Sequence, residues 1–284
     1  MDAALYVLHA LSPIHVGTGR GEGLVDLPIA RERVTGHPVI PGSSVKGVLR
    51  DAVEPALRVP VFGPSTANAS DHAGALRITD AQLLLMPVTS DTGTFAWVTS
   101  RWQLARLVRD AGGLGGLPAT VPDDCERPGE VLVADGSALL ANGGVVLADL
   151  SLPLGGLVPN AWREALGRLV FPADPWWRTA LDRRLAIVDD DVFTEFARQR
   201  TEVRPHVRID DATGTAQDGG LWYTEALPAE AVLTGLIHAV APPKQLDLTA
   251  ARVVDVVRAL SGQVLRFGGH ATTGAGRTRF QVTP

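Results

Sequence analysis

The two ends of the chain carry its clearest patterns of secondary structure. An apolar run over residues 4–11 predicts a strand buried on both faces, and a glycine-rich loop and a helix starting near Gly42 follow it. The other end alternates strand, amphipathic helix, strand and strand over residues 232–240, 248–260, 264–267 and 276–282. This arrangement is typical of a ferredoxin-like (RRM-like) core, so we expect an α+β fold built on such a core with loop insertions.

The middle of the chain is less regular. There are 30 glycines and 20 prolines among 284 residues, which predicts many turns rather than a helical bundle. We expect residues 55–200 to be mostly insertions and irregular elements, with strands at 75–86, 94–99, 130–134 and 144–149 and helices at 160–170 and 190–199. Residues 201–226 alternate around a polar turn and predict a long β-hairpin. Residues 230–284 complete the core with a second glycine-rich loop, and we treat 1–284 as a single domain.

Charge and composition exclude several classes of protein. The net charge is −5, so the chain is not basic overall, and any nucleic acid would have to meet one basic face. The single cysteine, Cys125, rules out an internal disulfide and a cysteine-based zinc site. No apolar run approaches the roughly 18 residues that a membrane span needs. The chain start lacks a signal-peptide pattern, so we expect a cytoplasmic protein without membrane contact.

Three segments have the character of anion-binding sites. Residues 15–23 and 268–276 are glycine-rich loops, and Ser43, Ser44 and Lys46 lie at the start of a helix, where free amides and the helix dipole attract phosphate. The first loop is not a dinucleotide fingerprint because position 22 is Glu, and no Gly-Lys-Ser/Thr motif occurs. Taken singly, the segments also fit a hairpin loop, an ordinary helix cap and a surface turn.

Several single residues are candidates for chemistry. Asp26 lies among apolar neighbours just after the first loop and is either a turn residue or a catalytic carboxylate; spacing does not decide. Trp222 and Tyr223 are either core aromatics or rings that stack on bases. His15, beside the first glycine loop, is the histidine we assign to function.

These pieces, in this order, resemble the RAMP superfamily of CRISPR proteins, and within it the repeated backbone subunit of type III-B effector complexes. The matching segments are Pro13 to Gly19, Val25 to Ile29, Arg31 to Asp51, Thr213 to Ala216, Leu221 to Glu225, Phe267 to Gly269 and Thr272 to Gly276. They cover both ends and the late middle of the chain, and the hairpin at 201–226 matches the thumb of that family.

The resemblance implies that several copies stack along a CRISPR guide RNA with other effector subunits. It implies that each copy cuts the paired target RNA at regular intervals with a divalent metal, Mg or Mn. Asp26 matches the position of the family's catalytic aspartate and is our catalytic and metal-binding candidate. Our RNA-binding candidates are His15, Ser43, Ser44, Lys46, Arg50, Trp222, Tyr223, Gly268, Gly269, Thr272 and Thr273.

Three other functions stay open at this point. The chain could be a purely structural RNA-holding subunit, with Asp26 a turn residue. It could be a guide-processing endonuclease of the same superfamily that cuts with a histidine and no metal. A nucleotide-binding enzyme is the third, although both phosphate fingerprints fail.

Overall fold

The structure is a computed structural model that describes residues 3–21, 23–64, 73–122, 129–240 and 249–283. Cys125, Leu248 and parts of the predicted insertions lie outside these residues. Among the described helices, none combines the length and the apolar character that crossing a bilayer requires.

Strands make up most of the regular structure. The first seven are β1 (Ala3–Ala10), β2 (Val39–Ile40), β3 (Leu76–Ile78), β4 (Ala81–Thr89), β5 (Phe95–Ser100), β6 (Val131–Val133) and β7 (Gly144–Leu147). The other seven are β8 (Leu150–Leu157), β9 (Leu185–Val188), β10 (Glu202–Ile209), β11 (Ala216–Ala226), β12 (Val232–Ala239), β13 (Val264–Arg266) and β14 (Arg277–Val282).

Seven α-helices are present in the described ranges. They are α1 (Gly42–Ala52), α2 (Pro55–Phe62), α3 (Arg101–Ala111), α4 (Asn160–Val170), α5 (Pro175–Arg184), α6 (Asp190–Gln199) and α7 (Ala250–Arg258). Ser100 caps α3 as its type predicts, because its side chain accepts a hydrogen bond from the Gln103 amide. Short 3-10 turns cover Leu114–Gly116 and Ala271–Thr273.

One large mixed sheet organises these elements. Its strand order is β13-β14-β1-β12-β4-β5-β9-β6-β8-β7, with β2 beside β4 and β3 beside β12. The strand β1 is central and antiparallel to both β12 and β14, whereas β5–β9 and β6–β8 are parallel pairs. The N-terminal and C-terminal strands therefore complete each other's hydrogen bonding.

Helices cover both faces of this sheet, as the alternation along β1 shows. Tyr6 and Leu8 enter a core with residues of α1, α6 and α7, whereas Leu5 and Val7 enter a second core with residues of α3, α4 and α5. Both sets are almost fully buried, which confirms the predicted strand buried on two faces. The molecule is thus a mixed sheet between two helical layers, with a separate hairpin.

The expectation that residues 55–200 are mostly irregular is wrong for the part that the structure describes. This part holds α2 to α6 and β3 to β9, and it extends the sheet beyond β4. Many of its glycines lie in turns with positive φ, such as Gly136 (72°) and Gly143 (80°), and others lie within regular elements, such as Gly167 in α4. The strand β9 is a buried run of four residues, which is too short for its pattern to be recognised.

The predicted hairpin is present as a two-stranded sheet outside the main one. The strands β10 and β11 pair antiparallel, and His206 lies opposite Trp222. We call residues 202–226 the thumb hairpin. Val203, Val207 and Ile209 on one of its faces are each about half exposed: 49%, 47% and 50%. Its base contacts the main body through hydrogen bonds of Tyr223 and Glu225 with the segment 26–31.

Candidate RNA-binding and catalytic site

The loop that carries Asp26 folds back on itself and lies against the thumb hairpin. The Asp26 carbonyl accepts a hydrogen bond from the Gly21 amide (2.8 Å), which closes the loop. Asp26 Oδ2 accepts a hydrogen bond from the backbone N–H of Tyr223 on β11 (2.7 Å). Leu27 forms a parallel bridge with Thr224 on the same strand. The carboxylate is therefore fixed by the thumb backbone while its side chain stays partly exposed.

Glu225, two residues further along β11, ties the base of the thumb to this loop. Its carboxylate accepts hydrogen bonds from the Ile29 amide (3.0 Å), the Thr201 hydroxyl (2.7 Å) and the Arg31 guanidinium (2.5 Å). Burial raises the pKa of Glu225, but these three donors outweigh it, so its pKa lies below the usual value. The charged carboxylate therefore holds the loop, β10 and β11 together.

Four rings connect the core to the thumb hairpin. His15 packs edge-on against His270 (centroids 5.1 Å apart), and His270 stacks on His206 (5.7 Å, 13°), which stacks on Trp222 (5.4 Å, 13°). His15 is buried, and its Nδ1 lies 2.6 Å from the Glu225 carbonyl oxygen. Because a carbonyl only accepts, Nδ1 carries the proton. His15 thus links the thumb strand β11, through the Glu225 carbonyl, to the second glycine loop, through the His270 ring.

The second glycine loop packs directly on His15. Gly268 has φ 82°, and a Cβ there would come within 2.2 Å of the His15 carbonyl oxygen, so only glycine fits. The Gly269 amide donates to that same oxygen (2.8 Å) and is already used within the protein. Thr272 and Thr273 are exposed at the top of the loop, and the Thr273 hydroxyl donates to the His270 carbonyl (2.9 Å).

The start of α1 forms a second, cationic region. Ser43, Lys46 and Arg77 line an open groove of about 510 Å³. Burial and the neighbouring Arg50 lower the pKa of Lys46. Arg50 is held in place by a hydrogen bond from its Nη1 to the Gly63 carbonyl (2.5 Å). Lys46 and Arg50 therefore lie close enough to repel each other, and a bound phosphate would offset this repulsion.

The helix cap differs from the sequence expectation. The residue preceding α1 is Pro41, no side chain caps the helix, and Ser43 lies within its first turn. Asp80 takes the capping role from outside the helix, because its Oδ1 accepts a hydrogen bond from the Gly42 amide (2.7 Å). The first amide of the predicted phosphate site is thus already paired with a carboxylate, which leaves the side chains of Ser43, Ser44 and Lys46 as the candidate donors of this segment.

The side chains around Asp26 do not form a metal site by themselves. Among the described residues there is no group of three His, Cys, Asp or Glu side chains placed to hold a metal ion. Mg²⁺ takes six oxygen ligands, and here one carboxylate with one oxygen already hydrogen-bonded is the donor set. The residues present therefore do not fit a resident metal.

The structure brings Asp26, Trp222, Tyr223, His15 and the glycine loop to one region. The α1 groove, with Ser43 and Lys46, shares no lining residue with that region. Sequence reasoning missed Glu225, Arg31, His206 and His270 as site residues. For His206, a signal existed: the hairpin register places it opposite Trp222. No local signal reveals Arg31–Glu225, because 194 positions separate the partners.

The chain is similar to known proteins along almost its whole length. A model of the RAMP superfamily matches residues 7–279. The CRISPR system Cmr endoribonuclease Cmr4 of Pyrococcus furiosus (strain ATCC 43587 / DSM 3638 / JCM 8422 / Vc1) is 34% identical over 286 residues, which covers 97% of this chain and 94% of that protein.

Solved structures of Cmr proteins share the fold of this chain. The crystal structure of oligomeric Cmr4 from Pyrococcus furiosus superposes with a TM-score of 0.75 at 26% identity, covering 100% of this chain and 98% of that one. A chain of the type III-B Cmr-beta complex bound to cognate target RNA has a TM-score of 0.75 at 18% identity, covering 99% and 97%, and shares the fold. This chain belongs to the RAMP superfamily and, within it, to the family of Cmr4.

Proposed function

We propose that this chain is an endoribonuclease subunit that repeats along a CRISPR guide RNA in a type III-B effector complex and cuts the target RNA paired to the guide. The observation that carries the proposal is the hydrogen bond from the Tyr223 amide to Asp26. It fixes one carboxylate oxygen on the thumb backbone, and no described residue bonds to the other oxygen.

Asp26 is suited to accept a proton from a ribose 2′-hydroxyl. As the proton moves to the carboxylate, the 2′-oxygen bonds to the adjacent phosphorus and the bond from phosphorus to the 5′-oxygen breaks, with a proton from water completing the leaving hydroxyl. The attack requires an in-line geometry, which the thumb hairpin can impose by separating neighbouring nucleotides. Tyr223 and Glu225 hold Asp26 and its loop at the base of that hairpin.

The strand order supports an RRM-like core, and donors on α1 and on the glycine loop support RNA contacts. The strands β14-β1-β12-β4, with α1 and α7 as crossovers, have the connectivity of a ferredoxin-like fold. Lys46 and Arg50 on α1 and the exposed Thr272 and Thr273 offer donors to phosphates. The named relatives are an endoribonuclease, an oligomer and an RNA-bound complex, which supports guide RNA, target RNA, further copies and other subunits as partners.

The requirement for Mg²⁺ or Mn²⁺ and the cytoplasmic location stay predictions. If a metal takes part, RNA phosphates and water must supply most of its ligands, since the described side chains do not. Cutting by the assembled complex with and without a chelator tests the metal requirement. Cutting that persists in chelator would favour a metal-independent endonuclease.

The experiment that tests the function replaces Asp26 with asparagine. Asparagine keeps the acceptor for the Tyr223 amide, so the loop should stay in place while the proton acceptor is lost. We expect complexes rebuilt with Asp26→Asn to assemble on guide RNA and to cut target RNA on the order of 100-fold more slowly.

Asp91→Asn is the matched control, because Asp91 is an exposed aspartate in the turn between β4 and β5. It should leave both assembly and cutting unchanged. Cutting by Asp26→Asn complexes at the rate of the wild type would show that the chain is a structural RNA-holding subunit.

A further inference from the structure

Three arginines share one face of the outermost strands of the main sheet. In the pairing of β13 with β14, Arg266 lies opposite Arg277 and Val264 lies opposite Arg279. Residues directly opposite each other in an antiparallel pair point to the same side, and so do residues two apart along a strand. Leu265 and Phe280 point the other way, into the core with α1 and α7. We call Arg266, Arg277 and Arg279 the arginine face.

Within the described residues, no carboxylate forms an ion pair with the arginine face. The chain contains no Asp or Glu after Asp255. In the described structure none of the three arginines forms an ion pair, and the hydrogen bond from Arg266 Nη1 to the Ala271 carbonyl (3.2 Å) is the one polar contact of their guanidinium groups. Arg279 Nε is buried without a hydrogen-bond partner. Like charges directly opposite each other destabilise a strand pair, and a buried unpaired donor adds a further cost.

The position of the arginine face indicates which anion it meets. Arg277 follows Gly276 at the end of the glycine loop, and the Arg266 guanidinium supports Ala271 within that loop. At its far end the face continues through Gln281 to a cleft of about 410 Å³ beside Arg168 and Arg178. It is therefore a strip of donors that runs on from the loop, and guanidinium groups bind phosphates in a bidentate manner.

We infer that the arginine face binds the phosphates of an RNA strand that continues past the glycine loop along β13 and β14. The inference rests on the proposed function and extends it to a surface on the sheet itself, apart from the thumb hairpin and the α1 groove. The contact is to the backbone and carries no sequence preference. Bound phosphate also offsets the repulsion between Arg266 and Arg277.

The test measures the affinity of the full chain for a fluorescein-labelled single-stranded RNA of mixed sequence over a range of salt concentrations. The variants are Arg277→Gln and the double variant Arg266→Gln/Arg277→Gln. The matched control is Arg252→Gln, which removes an exposed cation from α7 on the opposite side of the sheet. Thermal unfolding of each variant is measured in parallel, without RNA.

Each lost phosphate contact lowers the slope of log affinity against log salt by about 0.7, so the double variant should lose about 1.4. If binding is equal at 1 M salt, this corresponds to about 25-fold weaker binding at 0.1 M. The same variant should unfold close to the wild-type temperature, because removal of a like-charge pair offsets the loss of the exposed hydrogen bond from Arg266 to Ala271. Weaker binding together with undiminished stability separates RNA contact from a structural role.

A double variant that binds RNA like Arg252→Gln overturns the inference. If it also loses binding to a labelled polyglutamate peptide that the wild type binds, the face receives an acidic protein instead. Target cutting by complexes containing the wild-type chain distinguishes failure of this inference from failure of the proposed function. Normal cutting with no effect of the arginine variants refutes the arginine face and leaves the proposed function standing, whereas absence of both RNA binding and cutting by the wild type refutes both.

Discussion

Neutralising Glu225 should loosen the base of the thumb hairpin more than any other single charge removal there. In Glu225→Gln the side chain keeps its size but turns an NH₂ group toward donors. The NH₂ group faces either Arg31 and Thr201, which both donate to Oε1, or the Ile29 amide, which donates to Oε2, so at least one of these hydrogen bonds is lost. Hydrogen bonds to a charged group contribute about 1.5–3 kcal/mol each.

Two features reduce the cost. Arg31 also donates to the carbonyls of Gly36 and Ala197, so it is not left unpaired. Its side chain is 24% exposed, so solvent screens the pair. We therefore expect a loss of about 2 kcal/mol, which for a chain of this size lowers the melting temperature by about 4–8 °C.

Thermal unfolding and amide hydrogen exchange check this prediction. Exchange should accelerate at the Ile29 and Tyr223 amides, because both bonds lie at the junction that Glu225 holds. Glu202→Gln is the control: its partner Arg204 is exposed on β10, so the change should cost less than about 1 kcal/mol. A melting temperature within about 1 °C of the wild type, with unchanged exchange at Ile29, would refute the role of Glu225.

The pH dependence gives a second check. Because the pKa of Glu225 is lowered in the folded protein, its contribution to stability is complete above the unfolded pKa of about 4.3 and disappears as the pH falls through the folded pKa. The difference in stability between the wild type and Glu225→Gln should therefore be constant from about pH 6 to 8 and shrink below about pH 4.3. A difference that grows on acidification would contradict this assignment.

Three further predictions concern the RNA-facing elements. Lys46→Met should leave the melting temperature unchanged or raise it, since burial and Arg50 already disfavour the charge, and it should lower the slope of log RNA affinity against log salt by about 0.7. Lys46→Arg should keep the wild-type slope, and equal slopes in all three proteins would contradict a contact between Lys46 and a phosphate. Gly268→Ala should destabilise the chain by about 1–3 kcal/mol in thermal unfolding, because its Cβ meets the His15 carbonyl oxygen at a positive φ; a neutral effect would mean that the loop shifts freely. Trp222→Ala should speed hydrogen exchange along β10 and β11 while changing the melting temperature by less than about 2 °C, because the ring lies at the thumb end of the stack; unchanged exchange would show that stacking does not order the hairpin.

Sequence alone predicted those parts of the fold whose signal is local. The buried run of β1, the stripe of α7 and the alternation around a polar turn each specify their own element, and the structure has all three. The helix α4 at Asn160–Val170 and the helix α6 at Asp190–Gln199 also occur at the expected positions. The parallel pairing of β5 with β9 could not be predicted, because it depends on the packing of segments about 90 residues apart.

For the candidate site, too, the sequence indicated single residues but not the long-range contacts between them. Residue type and order made Asp26, Trp222 and the glycine loop candidates, and the catalytic role of Asp26 was predicted from the family resemblance. Their contacts were not, because the Asp26 bond to Tyr223 spans 197 positions and uses a backbone donor that has no residue signature. The carboxylate of Asp80 at the start of α1 likewise comes from a distant turn, and no side chain of the helix itself caps α1.

The central position of β1 has a consequence for how the chain folds as it is synthesised. Its two neighbours, β12 and β14, begin more than 220 positions later, so the first strand leaves the ribosome with both edges unpaired. Such non-local pairing is slow, and an apolar strand with open edges is prone to aggregate. The parts between β4 and α6 can form first on local contacts. We expect chains truncated before β12 to collect in the insoluble fraction, and expression at low temperature to raise the yield of folded protein.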